Sequence, residues 1–590
     1  MGGTGNSPSR FPALAVLAIG ATVLSLSLRH VAHAAENPAA ENGAADVRGA
    51  GAAQAPAARQ HALMLAAAEA LGGLERVRRI RNITLIGYGM YAYQFGGGNV
   101  TASPLAVQRY LAANDLRRVY DLEHGRFQQT ERRNMLFTFA RAAPTLWEPF
   151  NLVLDGDIAY DVATDGSATR SRRWVANAWY VDGVHMRRMW MLNNPVAVVR
   201  AALDPATTLG PVRSLPDARN HGKVDVVDLT LAQGDRLTLA VSQATHLPAW
   251  VRWTNPHNTF GELTFTTYLE GYAPFDGLLL PMSYNTKTDW RNISELQISV
   301  DGYAIDDAIA NLEAPAAVRS APEPELKLSP VTATPIAKGI WYLSGGPLSS
   351  KGLPAVQGTT VFEFADHLVL FELNSKPMAK AMIDFAKTLV PGKVPTAVIT
   401  SHAHTDHIDG IRVAVAEGLA VISRRENELI IHDMIAHPAP DYPDELSKHP
   451  RPLKFVPVDE HLRLEDSTMI VDVYWARANS HMADGLFAYA PAAKVMAEAD
   501  IATAARDYQP WADNYMDDIE HYHLDVQTLL PVHFPPMKQE DVIEFIKGGV
   551  ARFRERCAAE VAKGEAYQGC PVLSQRYPAE GQPATAAASA

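Results

Sequence analysis

A chain of 590 residues, 47% hydrophobic and 20% charged, is too long for one core and predicts two or more globular domains. Its net charge of −12, with no basic patch to offset it, excludes a nucleic-acid-binding role. The only two cysteines, Cys557 and Cys570, are too few for a thiolate metal site. They leave either one local disulfide or two free thiols.

Arg10 precedes the apolar run "FPALAVLAIGATVLSLSL", and Ala32-His33-Ala34 then offers a small-x-small cleavage site. That layout predicts a secretory signal peptide over residues 1–34 and a periplasmic or secreted mature protein, with an uncleaved anchor as the alternative. No later segment is apolar enough to span, so no stable membrane span is expected after signal removal. Residues 35–58, rich in Ala, Gly, Asn and Pro without periodicity, read as a flexible linker.

Residues 59–320 open with one helical segment, "HALMLAAAEALGGLERVRRI". Short alternating runs follow, among them "NITLIGYGMYAY", "RLTLAVSQ", "ELTFTTYLEGY" and "LQISVDGYAI", separated by turn residues. They predict a large antiparallel sheet. Seven of the ten tryptophans lie here, either filling the core of that sheet or lining a groove for an apolar ligand. Through the "ALGG" opening and the repeated amphipathic strands, this region loosely resembles the curved half-barrel of periplasmic lipoprotein carriers.

A Pro- and charge-rich linker at 321–332 separates this region from residues 333–562, and 563–590 read as a C-terminal tail. From 333 onward the pattern changes. The strands "GIWYLSG", "TTVFEF" and "HLVLFEL" lead to a helix, "SKPMAKAMIDFAKTLV", and "TAVIT" then runs into "SHAHTDHIDG". Further helices and the strands "LAVIS", "STMIVDVYW", "LFAYA" and "KVMAEA" follow. Mixed elements in this order predict an α/β sandwich with its site at strand ends.

His402 and His404 are two apart in extended chain and project to the same side, so both can reach one cation. Asp406 and His407 sit where the chain turns into a helix and can face a second position. A zinc ion wants about four ligands, so four side chains shared by two ions leave each site incomplete. His481, Asp500 and His533 each follow an apolar strand and can supply the remainder. His461, His521 and His523 fit no such pattern and read as surface or structural residues.

The run His402-x-His404-x-Asp406-His407, followed in order by His481, Asp500 and His533, resembles the metallo-β-lactamase superfamily over the whole 333–562 region. The resemblance implies an αββα sandwich and two zinc ions, with iron or manganese also suited to the ligands. It implies one ion held by His402, His404 and His481, another by Asp406, His407 and His533, and Asp500 bridging both. The family often reads DHxGG, whereas Asp409 stands at the first glycine and only Gly410 is kept. Phe534 stands where a glycine usually follows the last ligand. Neither departure removes a ligand, and a metal-free relic would be expected to lose ligands.

The implied chemistry is hydrolysis by a metal-bound hydroxide, with Asp406 as the catalytic carboxylate that orients it and shuttles a proton. The expected substrate is a small molecule carrying an ester, lactone, thioester or amide. The bridging Asp500 and the large N-terminal region argue for a general hydrolase over a dedicated β-lactamase. Two other classes stay open: an iron-dependent oxidoreductase on the same fold, and a module whose β-rich region binds an apolar ligand.

Overall fold

The computed structural model describes residues 54–92, 109–135, 148–171, 183–217, 219, 222–325, 327–346, 348, 357–479, 481–502 and 512–562. The signal-peptide segment, Cys570 and the C-terminal tail lie outside the described residues, as does the side chain of Cys557. The first helix, Gln54–Leu71, begins inside the stretch expected to be linker. The single helical segment predicted after it is two helices, Gln54–Leu71 and Leu74–Arg79. Gly72 and Gly73 break it with φ of 134° and 103°, values that a residue with a Cβ rarely adopts.

The alternating runs between 82 and 305 form one antiparallel sheet of 14 strands. Its first strand, Asn82–Ala92, pairs with its last, Ser294–Ile305, so the ends of this region meet in mid-sheet. Alternation dictates the faces: Ile83, Leu85 and Tyr91 are buried, while Ile86, Tyr88 and Met90 point to solvent. Helices Gln54–Leu71, Gly183–Leu192 and Pro195–Leu203 cover the buried face with Met64, Leu71, Met189, Trp190 and Val199. Asn194 caps the last of these, its side chain accepting from the backbone N–H groups of Val196 and Ala197. Trp190, Trp250, Trp253 and Trp290 are buried. At these four positions tryptophan fills the core, as expected of a wide sheet.

From Thr332 the chain builds two further sheets. The first has seven strands, ordered Thr332–Ala337, Ile340–Gly345, Gln357–Glu363, Leu368–Phe371, Pro395–Ile399, Ala420–Arg424 and Phe455–Val458. Its last four strands run parallel, connected through helices Lys376–Leu389, Ile411–Glu417 and Glu428–Ala436. The second has six strands, from His461–Glu465 to Met537–Lys538, with one parallel pair, Val495–Glu498 and Thr528–Pro531.

One apolar core joins Ile340, Phe362, Phe371 and Ile399 of the first sheet to Val473, Ala488, Ala497 and Leu530 of the second. On the other side of the first sheet, Leu370, Val398 and Val421 share a core with Met378, Met382, Val415 and Ile431 of the helices. Phe487, Met496 and Leu529 of the second sheet share another with Tyr515, Val542 and Ile546. The core behind the first sheet continues into that of the 14-stranded sheet. The described residues accordingly belong to one compact unit.

Candidate metal centre

Parallel strands end together, and side chains just past their carboxyl ends share one rim. Glu372 follows strand Leu368–Phe371, and Ser401 and His402 follow Pro395–Ile399. In the second sheet Asp500 follows Val495–Glu498, and His533 follows Thr528–Pro531. Two backbone bonds join the sheets at this rim, Gly358 N–H to the Val532 carbonyl at 2.7 Å and Leu486 N–H to the Ser401 carbonyl at 2.8 Å. His404 caps the short helix Thr405–Ile408, which carries Asp406 and His407.

All seven residues singled out in the sequence converge here, in two sets. The ligand atoms of His402, His404, His481 and Asp500 lie within 4.8 Å of one another, as do those of Asp406, His407 and His533. Asp500 spans the sets. Its Oδ2 is 3.1 Å from His481 Nε2, 3.6 Å from His402 Nε2 and 3.2 Å from His407 Nε2, while its Oδ1 is 3.3 Å from His533 Nε2. His402 Nε2 lies 3.0 Å from His404 Nδ1, and His533 Nε2 lies 3.3 Å from His407 Nε2 and 3.4 Å from Asp406 Oδ2. His461 pairs instead with Asp472 at 2.7 Å, and His521 and His523 are exposed.

These spacings test the fit to a metal. Ligands about 2.0–2.2 Å from a tetrahedral zinc stand about 3.3–3.6 Å from each other. The closest separations, 3.0–3.6 Å, bracket that edge length, and all ligand atoms within each set lie within 4.8 Å of one another. Burial, reinforced by the neighbouring imidazoles, holds His402 and His404 well below the usual imidazole range, so both present neutral rings. Burial also works against charge on His407, but Asp406, Asp500 and Glu372 outweigh it and hold that ring well above its usual value. Carboxylates thus gather around buried imidazoles, an arrangement that a divalent cation neutralises. Asp406 Oδ1 has no hydrogen-bond partner among the described residues. The donor set fits a metal.

Sequence reasoning missed the carboxylate behind His407. Glu372, fully buried, places Oε2 3.1 Å from His407 Nδ1 and accepts the Ser401 N–H on Oε1. A carboxylate at Nδ1 fixes the proton there and leaves Nε2 free to bind metal. The sequence signal was a lone acidic residue ending the apolar strand "HLVLFEL". Glu372 and Asp500 both hold left-handed backbone, φ 68° and 60°, a strain that packed functional sites retain.

The two departures from the family pattern have different consequences. A Cβ on Gly410 would stand 2.8 Å from Ala379 Cβ and 2.9 Å from Leu373 Cβ, so glycine is required there. Asp409 is buried, and burial pushes its carboxyl up to about 7 despite the Thr259 hydroxyl and Lys376 beside it. Phe534 contributes its carbonyl, which accepts from the Tyr342 hydroxyl at 2.7 Å.

No family model and no curated protein matches the chain. Solved metallo-β-lactamases do. That of Pontibacter korlensis is 14% identical, with 37% of this chain and 97% of that one covered, at a TM-score of 0.30. That of Hirschia baltica is 16% identical, with 37% and 97% covered, at 0.29. The mono-zinc form of FIM-1 from Pseudomonas aeruginosa is 14% identical, with 38% and 96% covered, at 0.30. Such a likeness carries no functional argument by itself, and the weight falls on the converging side chains. The chain is similar to these solved metallo-β-lactamases over 37–38% of its length.

Proposed function

We propose that this protein is an exported metal-dependent hydrolase that binds two divalent ions, zinc foremost, and cleaves an ester-, lactone-, thioester- or amide-type small molecule. In this reading the two C-terminal sheets and their outer helices form the layers of an αββα sandwich. Export rests on the pattern of residues 1–34. One observation carries the reading: Asp500 offers one oxygen to His402, His407 and His481 and the other to His533, so a single carboxylate serves two sets of ligands.

Divalent metal supplies Lewis acidity and brings the pKa of water down to about 7. The chain's own residues do the rest. His402, His404 and His481 bind at one position, and Asp406, His407 and His533 at the other. Ser401 Oγ, 2.8 Å from His402 Nδ1, and Glu372 at His407 Nδ1 orient the rings. Asp406 Oδ1 is the candidate proton acceptor, since no hydrogen bond occupies it among the described residues. The 14-stranded sheet backs the helices of this region through a continuous core, which makes it part of the enzyme's framework in this reading.

A turnover screen over esters, lactones, thioesters, amides and β-lactams tests the reading. We expect at least one class to be hydrolysed, the rate to vanish with a chelator and to return with added zinc. Turnover indifferent to the chelator would contradict the proposal.

A further inference from the structure

Strands Pro248–His257 and Gly261–Phe275 of the 14-stranded sheet pair as a hairpin, with His257 opposite Gly261 and residues 258–260 as the loop. Gly261, just past the loop, holds φ 84°, a left-handed conformation that glycine adopts without the penalty a Cβ would bring. A Cβ there would lie 2.9 Å from Ala439 Cβ and 3.1 Å from Arg412 Nη2, so the turn is seated directly on the C-terminal region. Phe260, buried, packs against Trp290 and His437 with ring centroids 4.6 and 5.6 Å away. Glu262 Oε2 accepts the N–H groups of Asp441 and Tyr442, both at 2.9 Å.

The polar groups of this turn reach the segment that carries two proposed ligands. Thr259 Oγ1 donates to Asp409 Oδ1 at 2.7 Å, and both residues are buried. Asp409 caps the helix bearing Asp406 and His407, its own N–H bonded to the Thr405 carbonyl at 3.0 Å. Lys376 Nζ donates to the His257 carbonyl at 3.0 Å and stands 3.5 Å from Asp444, whose oxygens accept from Arg412 Nε at 2.6 Å and Nη2 at 3.0 Å. The Thr259 N–H bonds His257 Nδ1 at 3.2 Å, which fixes the hydroxyl's approach. One edge of the ligand helix is thus held by a residue 150 positions earlier in the chain.

We infer that this hairpin turn is a positioning element of the metal centre, with Thr259 acting through Asp409 on the placement of Asp406 and His407. The inference rests on the two-ion reading above. It gives Asp409 a task that a glycine could not perform. Thr259 belongs to neither set of proposed ligands.

Titration of metal-stripped full-length protein with cobalt(II), following the visible absorption of each equivalent, tests this. Thr259→Val keeps the shape and removes the donor. We expect its first equivalent to bind as in the wild type. The second should bind about tenfold more weakly, the low end of effects from groups behind metal ligands, with an altered band. Thr259→Ser, which restores the hydroxyl, should recover both. If Thr259→Val does not fold, Thr259→Ala gives the same comparison without an apolar group facing the carboxyl. A variant that takes up both equivalents with wild-type affinity and spectrum overturns the inference. So does equal weakening of both sites alongside a lower unfolding midpoint, the mark of a purely structural role. Wild-type protein that binds no second equivalent overturns the two-ion reading and this inference with it.

Discussion

Asp406→Asn should cut turnover at least about a hundredfold, the usual scale of a lost general base. The substitution keeps size and one oxygen ligand but removes the charge and the proton acceptor. In the structure Asp406 Oδ2 lies 3.4 Å from His533 Nε2, while Oδ1 has no hydrogen-bond partner among the described residues. Both oxygens therefore face the ligand set, Oδ2 toward His533 and Oδ1 3.6 Å from His407 Nε2, and Oδ1, which makes no hydrogen bond among the described residues, can take a proton. The ion at His402, His404 and His481 should stay bound, because none of those side chains depends on Asp406. His521, exposed on its own helix, is the control, and its replacement should leave the rate within a few-fold. If Asp406→Asn keeps both ions and full rate, the catalytic role assigned to this carboxylate is wrong and the fold assignment survives.

Glu372→Gln should weaken the ion at Asp406, His407 and His533 about ten- to a hundredfold, the range for partners behind metal-binding histidines. The reason is the proton on His407. Ser401 N–H needs an acceptor, so the oxygen of the substituted amide stays there and its NH2 turns toward His407 Nδ1. That ring must then accept on Nδ1 and carry its proton on Nε2, where the metal would bind. With position 372 fully buried, water cannot substitute as the acceptor. Isothermal titration of stripped protein with zinc reads this directly. Unchanged affinity for both equivalents would show that Glu372 does not set the tautomer.

Much of the site was legible because its signals are local. His402, His404, Asp406 and His407 fall within six positions, and Asp500 and His533 each stand two residues past a strand that apolar composition alone reveals. His481 stands further out, six residues beyond Trp475, in a loop that strand patterning alone does not place. What stayed hidden depends on pairs far apart in sequence. Glu372 looks like an ordinary strand end until the fold brings His407 to it across 35 positions. Asp409 was visible as a departure from a family pattern, but its partner Thr259 sits in a hairpin of another region.

The same distinction holds for the fold. Alternation revealed the strands of the β-rich region, whereas their order, with Asn82–Ala92 beside Ser294–Ile305, has no local signature. The helix break at Gly72–Gly73 was written in the sequence and overridden by the helical pattern on both sides. The linker expected at 321–332 does not separate two cores, because buried side chains on both sides of it share one.

Metal content is the most direct measurement of the central claim. Full-length protein equilibrated with zinc, dialysed and analysed for metal against protein should hold two divalent ions per chain, matching the two sets of side chains bridged by Asp500. A single firmly bound ion, with none gained on adding zinc, would contradict it.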